Sequence, residues 1–301
     1  MHSGSRPFPV ILNRLIETDR GPVEYSEAGS GELVLYFHGT GVTGDVMLDV
    51  ESPLVEDGFR LIIPNRPGYG RTPLAPHGSA AGCADVCAAL LDAMGLARVH
   101  VMGSSGGAAF AIAFAARHSA RTRSLVLLCP QLHRWDERRW LPVTSGRTLP
   151  LLRRPFLRRI LLTLYRLQLP LMSVKQLMKT EAGGRYNDVA ADPATEALCR
   201  TTLTAMKQGT KSPGFENDFV VFISEDIPGE NSSLEAPTLM IHDEQDPMAP
   251  VDHVDWFASM VPDCERVSVH AAGHLIWVGP EADVMHKSRV RFLREHTKGA
   301  G

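Results

Sequence analysis

The stretch Val99-His100-Val101-Met102-Gly103-Ser104-Ser105-Gly106-Gly107, followed by Ala108 to Arg117, decides the reading of this chain. Val99 to Met102 reads as a short strand, and the alanine-rich Ala108 to Arg117 reads as a helix. Between them, Gly103 to Gly107 fits G-x-S-x-G. A sharp strand-to-helix turn forces its central residue into a strained backbone conformation, and the flanking glycines remove β-carbons that would clash with neighbouring chain. Ser105 is then held out above the sheet edge. The Gly106 amide points from the helix start toward any oxyanion formed there. A plain Gly/Ser turn is the bland alternative; a strand directly before and a helix directly after favour the functional one.

Outward from this turn the same alternation recurs. On the N-terminal side, Arg14 to Thr18, Gly21-Pro22 and Val23 to Ser26 suggest a hairpin, and Leu33 to Phe37 is a continuous apolar run ending at His38-Gly39-Thr40-Gly41. A helix is expected from about Asp45 to Glu56, a strand from Arg60 to Pro64, and a helix from Ala80 to Met94. On the C-terminal side come a strand at Leu125 to Leu128 and, after a long gap, one at Thr238 to Ile241. A helix (Val251 to Met260), a strand (Arg266 to His270) and a last helix (about Pro280 to Glu295) follow. Short apolar runs alternating with helices imply a parallel sheet covered on both faces, with ligands beyond the carboxyl ends of its strands. Residues 131–213 break the rhythm and read as an inserted helical cap, which divides the core into residues 1–130 and 214–301.

A serine hydroxyl is a poor nucleophile near neutral pH and needs a base held by a third group. His242-Asp243-Glu244-Gln245-Asp246-Pro247 follows one late strand, and His270-Ala271-Ala272-Gly273-His274 follows the next. The order serine, acid, histidine suits a strand-turn-helix nucleophile. Asp246 is the preferred acid, with Asp243 second, and His274 is the expected base. His270 and His242 read as structural, His242 by local hydrogen bonding. The Thr40 amide is the chosen second oxyanion donor, with Gly41 the alternative, and His38 is expected to hold that loop.

Together, His38-Gly39-Thr40-Gly41, Asn65-Arg66-Pro67-Gly68-Tyr69-Gly70, Gly103 to Gly107, Asp246-Pro247 and Gly273-His274 resemble the α/β-hydrolase superfamily in its capped form. The resemblance spans nearly the whole chain. It implies an α/β fold with an eight-stranded, mostly parallel sheet, helices on both faces, and a helical cap inserted after the sixth strand. Ser105 stands where haloalkane dehalogenases and epoxide hydrolases of the superfamily carry aspartate, which disfavours both. His242-Asp243 departs from the His-Gly that relatives often have, and it places two carboxylates close together.

Composition narrows the function further. The formal net charge of -3 gives no reason to expect nucleic-acid binding. Five cysteines in no framework spacing, no apolar signal core and no long uncharged apolar stretch make a reducing cytoplasm the default compartment. Cys83 and Cys87 share a helical face and read as core residues rather than a metal site. The charge is uneven: residues 131–180 hold eleven Lys/Arg against two acids. Arginine pairs there interleave with apolar residues, as in Arg153-Arg154-Pro155-Phe156-Leu157-Arg158-Arg159. The preferred reading is the solvated outer face of lid helices whose leucines pack on the core. The alternative is attraction of anionic substrates or docking on an anionic lipid surface.

The expected function is a serine hydrolase acting on small or medium, partly apolar carboxylic esters, with no metal or organic cofactor. Ser105 is the nucleophile, His274 the base and Asp246 its orienting acid; Gly106 and Thr40 hold the oxyanion. Two other readings are a carbon–carbon bond hydrolase of a carboxylate-bearing diketone and a low-turnover ligand receptor on the same fold.

Overall fold

In the computed structural model, residues 8–132, 149–225, 234–261 and 263–297 are described. An eight-stranded sheet runs in the order β1-β2-β4-β3-β5-β6-β7-β8. The strands are β1 (Val10–Thr18), β2 (Gly21–Ala28), β3 (Glu32–Phe37), β4 (Phe59–Pro64), β5 (Val99–Ser104), β6 (Thr122–Leu128), β7 (Thr238–His242) and β8 (Cys264–Ser268). β2 pairs antiparallel with β1 and with β4, and every other pairing is parallel.

The strands alternate their side chains between two cores, as a period of two requires. Leu35, Phe37, Val101, Leu125, Leu127 and Met240 face one layer. That layer holds α3 (Ala80–Ala93), α4 (Gly107–Arg117) and α11 (Val251–Met260). Val34, Tyr36, Met102, Val126, Leu239 and Ile241 face the other. There lie α1 (Gly44–Val50), α2 (Ser52–Glu56) and α12 (Ala282–Glu295). Burial on both faces explains why the strands read as unbroken apolar runs.

Several expected boundaries move. The hairpin loop falls on Asp19 and Arg20, between the paired Thr18 and Gly21, so Gly21-Pro22 opens β2. The single helix expected from Asp45 to Glu56 is two, broken at Glu51 by Pro53 near the start of α2, since proline offers no N–H to continue the first helix. β8 begins at Cys264, two residues before the expected Arg266, because its register is set by pairing with β7 rather than by the Val267/Val269 alternation. His270 therefore lies past the strand.

Between β6 and β7 the described chain is helical: α5 (Leu149–Leu152), α6 (Pro155–Gln168), α7 (Val174–Ala182), α8 (Tyr186–Val189), α9 (Pro193–Gly209) and α10 (Pro213–Ser224). Local chemistry starts these helices. Ser173 and Gln176 form a reciprocal capping box at α7. Asp192 accepts the Ala194 and Thr195 amides ahead of Pro193 at α9. Leu169, Leu177, Met178, Cys199 and Leu203 pack together and onto Ala272 and Leu275 of the core. The expectation that the cap leucines turn inward holds for only part of α6. Leu162 is buried, but Phe156, Ile160, Leu164 and Leu167 are exposed, because that helix carries apolar side chains on opposite faces. Arg134, Arg138, Arg139 and Arg147 of the basic segment lie outside the described residues.

The turn after β5 is packed to the limit. A β-carbon on Gly107 would fall 2.2 Å from the Phe37 carbonyl oxygen and 2.5 Å from that of His38. Gly107→Ala is therefore expected to cost about 1–3 kcal/mol of stability, read as a lower urea midpoint with an unchanged slope.

Candidate active site

Ser105 sits at φ +50°, in the left-handed region that a non-glycine residue rarely occupies. Backbone bonds fix it there. Its N–H donates to the Leu128 carbonyl at 3.0 Å, and its own carbonyl accepts from Ala108 and Gln131, each at 3.1 Å. The Oγ thus stands at the carboxyl edge of the sheet, where the loops after β7 and β8 arrive.

Those loops bring two of the expected partners into one chain of hydrogen bonds. His274 Nε2 lies 2.9 Å from Ser105 Oγ, and His274 Nδ1 lies 2.7 Å from Asp246 Oδ2. With the Nδ1 proton donated to Asp246, Nε2 is free to accept the serine proton. The other Asp246 oxygen accepts the Met248 and Ala249 amides at 2.7 and 3.0 Å, which fixes the carboxylate. Asp243 faces elsewhere. It accepts Arg185 Nε at 3.1 Å and the Ala271 amide at 2.9 Å, so it braces the histidine loop instead of touching the imidazole. The loop is also tied to the cap: the His274 N–H donates to the Glu181 carbonyl at 2.9 Å. Gly273, at φ +62°, is required there, because a β-carbon would fall 2.7 Å from the Ala182 carbonyl oxygen.

His270 pairs with Asp188 at the surface. His242 is buried, and among the described residues neither ring nitrogen is partnered, in place of the expected local hydrogen bond; burial lowers its pKa. Cys83 and Cys87 are core residues of α3. Among the described residues, one group has metal-ligand geometry: Cys129, Asp246 and His274, with ligand atoms within 4.8 Å of one another. In that set Asp246 and His274 are already bonded to each other, and burial pushes the Cys129 thiol up, which keeps it protonated.

The loop after β3 lies against the serine turn. A β-carbon on Gly106 would meet Thr40 Oγ1 at 2.3 Å, so the residues bearing the two expected oxyanion donors are adjacent. Among the described residues neither the Thr40 nor the Gly106 amide donates to a protein acceptor. The Gly41 amide is occupied, donating to Tyr69 Oη at 3.1 Å.

His38 holds this loop by hydrogen bonds, and what was not legible from motifs is the acid that anchors it from behind. His38 donates from Nδ1 to the Gly39 carbonyl at 2.9 Å and accepts the Arg66 N–H on Nε2 at 3.1 Å; burial and the Arg66 charge keep its ring neutral. Arg66 donates to the His38 and Gly39 carbonyls and pairs in two-pronged fashion with Asp218 of α10, at 2.5 and 2.8 Å. Tyr69 Oη donates to the same carboxylate at 2.7 Å. All three side chains are essentially inaccessible. One acid from the helix before β7 therefore anchors the oxyanion loop through an arginine and a tyrosine.

Above Ser105 is a cavity of about 520 Å³ whose wall is mostly apolar, including Met47, Leu162, Leu177, Phe215 and Trp277. No Lys or Arg is among its described lining residues, and Glu181 is the carboxyl that faces it. Burial pushes the Glu181 pKa up, and the Asp246 charge adds to this against the pull of His274. Burial works against a charged His274, but the Asp246 charge and hydrogen bond, helped by the Glu181 charge, hold its pKa up to about 9.

The chain matches the family described as alpha/beta hydrolase fold over residues 32–278. It is 25% identical over 277 residues to the uncharacterized hydrolase YcgS of Bacillus subtilis, spanning 90% of this chain and 95% of that one. It is also 25% identical over 278 residues to a 2-hydroxy-6-oxo-6-phenylhexa-2,4-dienoate hydrolase of Burkholderia cepacia, spanning 90% and 91% of the two chains. Among solved structures it is similar to an alpha/beta hydrolase fold protein from Nakamurella multipartita, with a TM-score of 0.70, 29% identity, and coverage of 93% of this chain and 98% of that one.

Removing Asp218 would strand a buried guanidinium. Asp218→Ala is expected to lower the unfolding free energy by about 3–5 kcal/mol. Glu196→Ala, which breaks the exposed pair with Arg200, should change it by less than about 1 kcal/mol. Urea unfolding of the two variants measures the contrast.

Proposed function

The chain belongs to the alpha/beta hydrolase fold family and is a hydrolase, and on that premise we propose that it cleaves carboxylic esters of small to medium, partly apolar substrates through an acyl-enzyme. The observation that carries this reading is the unbroken chain from Ser105 Oγ to His274 to Asp246 under an apolar cavity. Ser105 Oγ attacks the ester carbonyl while its proton passes to His274 Nε2. Asp246 holds the tautomer and stabilises the imidazolium. The Thr40 and Gly106 amides receive the oxyanion; one such donor is worth roughly 2.7–4 kcal/mol in the transition state. The intermediate collapses, the alcohol leaves with the proton from His274, and a water deprotonated by His274 releases the acid.

A second reading is cleavage of a carbon–carbon bond in a carboxylate-bearing diketone; the Burkholderia relative is named as a hydrolase of a hydroxy-oxo-dienoate, which carries a carboxylate. The cavity supports the ester more directly. A carboxylate bound there would find no Lys or Arg among the described lining residues and would face Glu181. Bringing two carboxylates together in an apolar space is costly unless one takes a proton. A panel of neutral esters assayed beside such a diketone separates the two readings. In that panel, Ser105→Ala is expected to lower turnover by about 10⁴–10⁶-fold with the fold intact; near-normal turnover would remove the nucleophile assignment. A fluorophosphonate probe that leaves Ser105 unlabelled would favour a receptor instead.

The pH dependence follows from the sign of the His274 shift. The base must be neutral to accept the serine proton, so kcat/KM falls as pH drops through its pKa. That limb is expected above the ordinary histidine value of 6.5. Glu181→Gln removes one of the charges that raise it. The limb should move to lower pH, and the KM of carboxylate-bearing esters should fall relative to neutral ones, by up to about tenfold, equivalent to about 1.4 kcal/mol. Unchanged profiles in both respects would deny Glu181 a role in substrate selection.

A further inference from the structure

Helix α6 has two apolar faces. Leu161, Leu162 and Tyr165 form part of the cavity wall. The opposite face presents Phe156, Ile160, Leu164 and Leu167, exposed at 74, 41, 50 and 66%, and Leu171 just beyond the helix is 82% exposed. Steps of four, four and three residues place the first four on one side of the helix. None of the five lines the cavity. Single exposed apolar residues are ordinary, but a continuous row of this kind marks a surface built to be covered.

The surrounding charge identifies the cover. From residue 138 to residue 180 the sequence contains no Asp or Glu. Arg153 and Arg154 immediately before the helix, Arg159 on it and Lys175 after it are exposed. Among the described residues Arg159 reaches an acid only at 3.5 Å, on a Glu216 shared with Arg158. If a second copy of this chain packed face to face here, cations would meet cations with no carboxylate from this stretch to pair them. Lipid phosphates supply the missing charge, and an acyl boundary accepts the apolar row. Basic residues flanking the apolar face of a helix are the pattern of helices that lie in the headgroup region. No helix among the described residues is long and apolar enough to cross a membrane.

We propose that the outer face of α6 docks this protein on an anionic lipid surface, with Phe156, Ile160, Leu164 and Leu167 entering the headgroup–acyl boundary and Arg153, Arg154 and Arg159 pairing with lipid phosphates. The test is sedimentation of the full chain with vesicles of phosphatidylcholine alone and of phosphatidylcholine mixed with phosphatidylglycerol. Binding to the anionic vesicles should be at least about tenfold stronger and should weaken as salt rises. The combined variant Phe156→Ser, Leu164→Ser, Leu167→Ser should lose about tenfold or more of that binding, while circular dichroism and turnover of a water-soluble ester stay as in the wild type. Arg153→Gln with Arg154→Gln should flatten the salt dependence. Equal partitioning onto both vesicle types would overturn the proposal. So would a wild-type dimer, seen by light scattering in place of vesicle binding, that the Phe156→Ser, Leu164→Ser, Leu167→Ser variant dissolves. The wild-type salt titration decides the matter even if the triple variant fails to fold. Binding is read without turnover, so its failure leaves the hydrolase reading untouched.

Discussion

The left-handed backbone at Ser105 is the constraint from which the rest of the site follows. A side chain in that conformation is strained by about 1–3 kcal/mol and persists only where its surroundings over-determine it. Here they do: Leu128 of the neighbouring strand takes its amide, Ala108 and Gln131 share its carbonyl, and the first turn of α4 presses against the Phe37 and His38 carbonyls. Because the turn is closed by β6 and by the loop after β3, the hydroxyl cannot relax without disturbing the centre of the sheet. The strain therefore becomes position. It sets Oγ at one place over the strand ends, and the histidine and acid loops have a fixed target to meet.

Meeting that target depends on the helices between β6 and β7 as much as on the sheet. The His274 amide is held by the Glu181 carbonyl at the end of α7, the loop before it by Asp243 and Arg185, and the oxyanion loop by Asp218 of α10 through Arg66. A charge pair as enclosed as Arg66 and Asp218 has no solvent to fall back on. Its merit lies in the number of bonds each partner completes: Arg66 also satisfies two loop carbonyls, and Asp218 also takes the Tyr69 hydroxyl. Replacing such a pair with apolar groups could preserve stability, as happens for buried pairs elsewhere. It would not preserve the direction in which residues 38–41 present their amides.

The parts legible in the sequence were those fixed by neighbours a few residues away. The Ser105 turn, the two-sided strands and the alternation of strand and helix are local, and glycine and apolar runs mark them. The choice between Asp243 and Asp246 is different. Both carboxylates stand in one loop, and what separates them is that Arg185, 58 residues earlier, claims Asp243. Glu181 and Asp218 left no signal, because one acid on a helix between the sixth and seventh strands looks like any solvated acid until the fold buries it. β8 was read two residues late because an edge strand takes its limits from its partner, and its own apolar alternation runs past them.

Helix α6 defeated pattern reading for a related reason. Periodicity assigns an apolar stripe to the core, and a helix with two stripes gives no rule for which one turns inward. The structure separates otherwise similar arginines: Arg158 is buried and bonded to the Leu152 carbonyl, whereas Arg153, Arg154 and Arg159 are exposed. Their placement also bears on orientation. Residues 131–180 carry eleven of the 31 basic residues but two of the 34 acids, so the remaining 20 bases face 32 acids. Screening confines each exposed charge to about 8 Å at physiological salt, so only near neighbours of these arginines, such as Glu216 beside Arg158 and Arg159, offset them. In the proposed docking, the exposed Arg153, Arg154 and Arg159 turn the outer face of α6 toward an anionic surface. That helix is also the one whose other face, through Leu161, Leu162 and Tyr165, forms part of the cavity wall above Ser105.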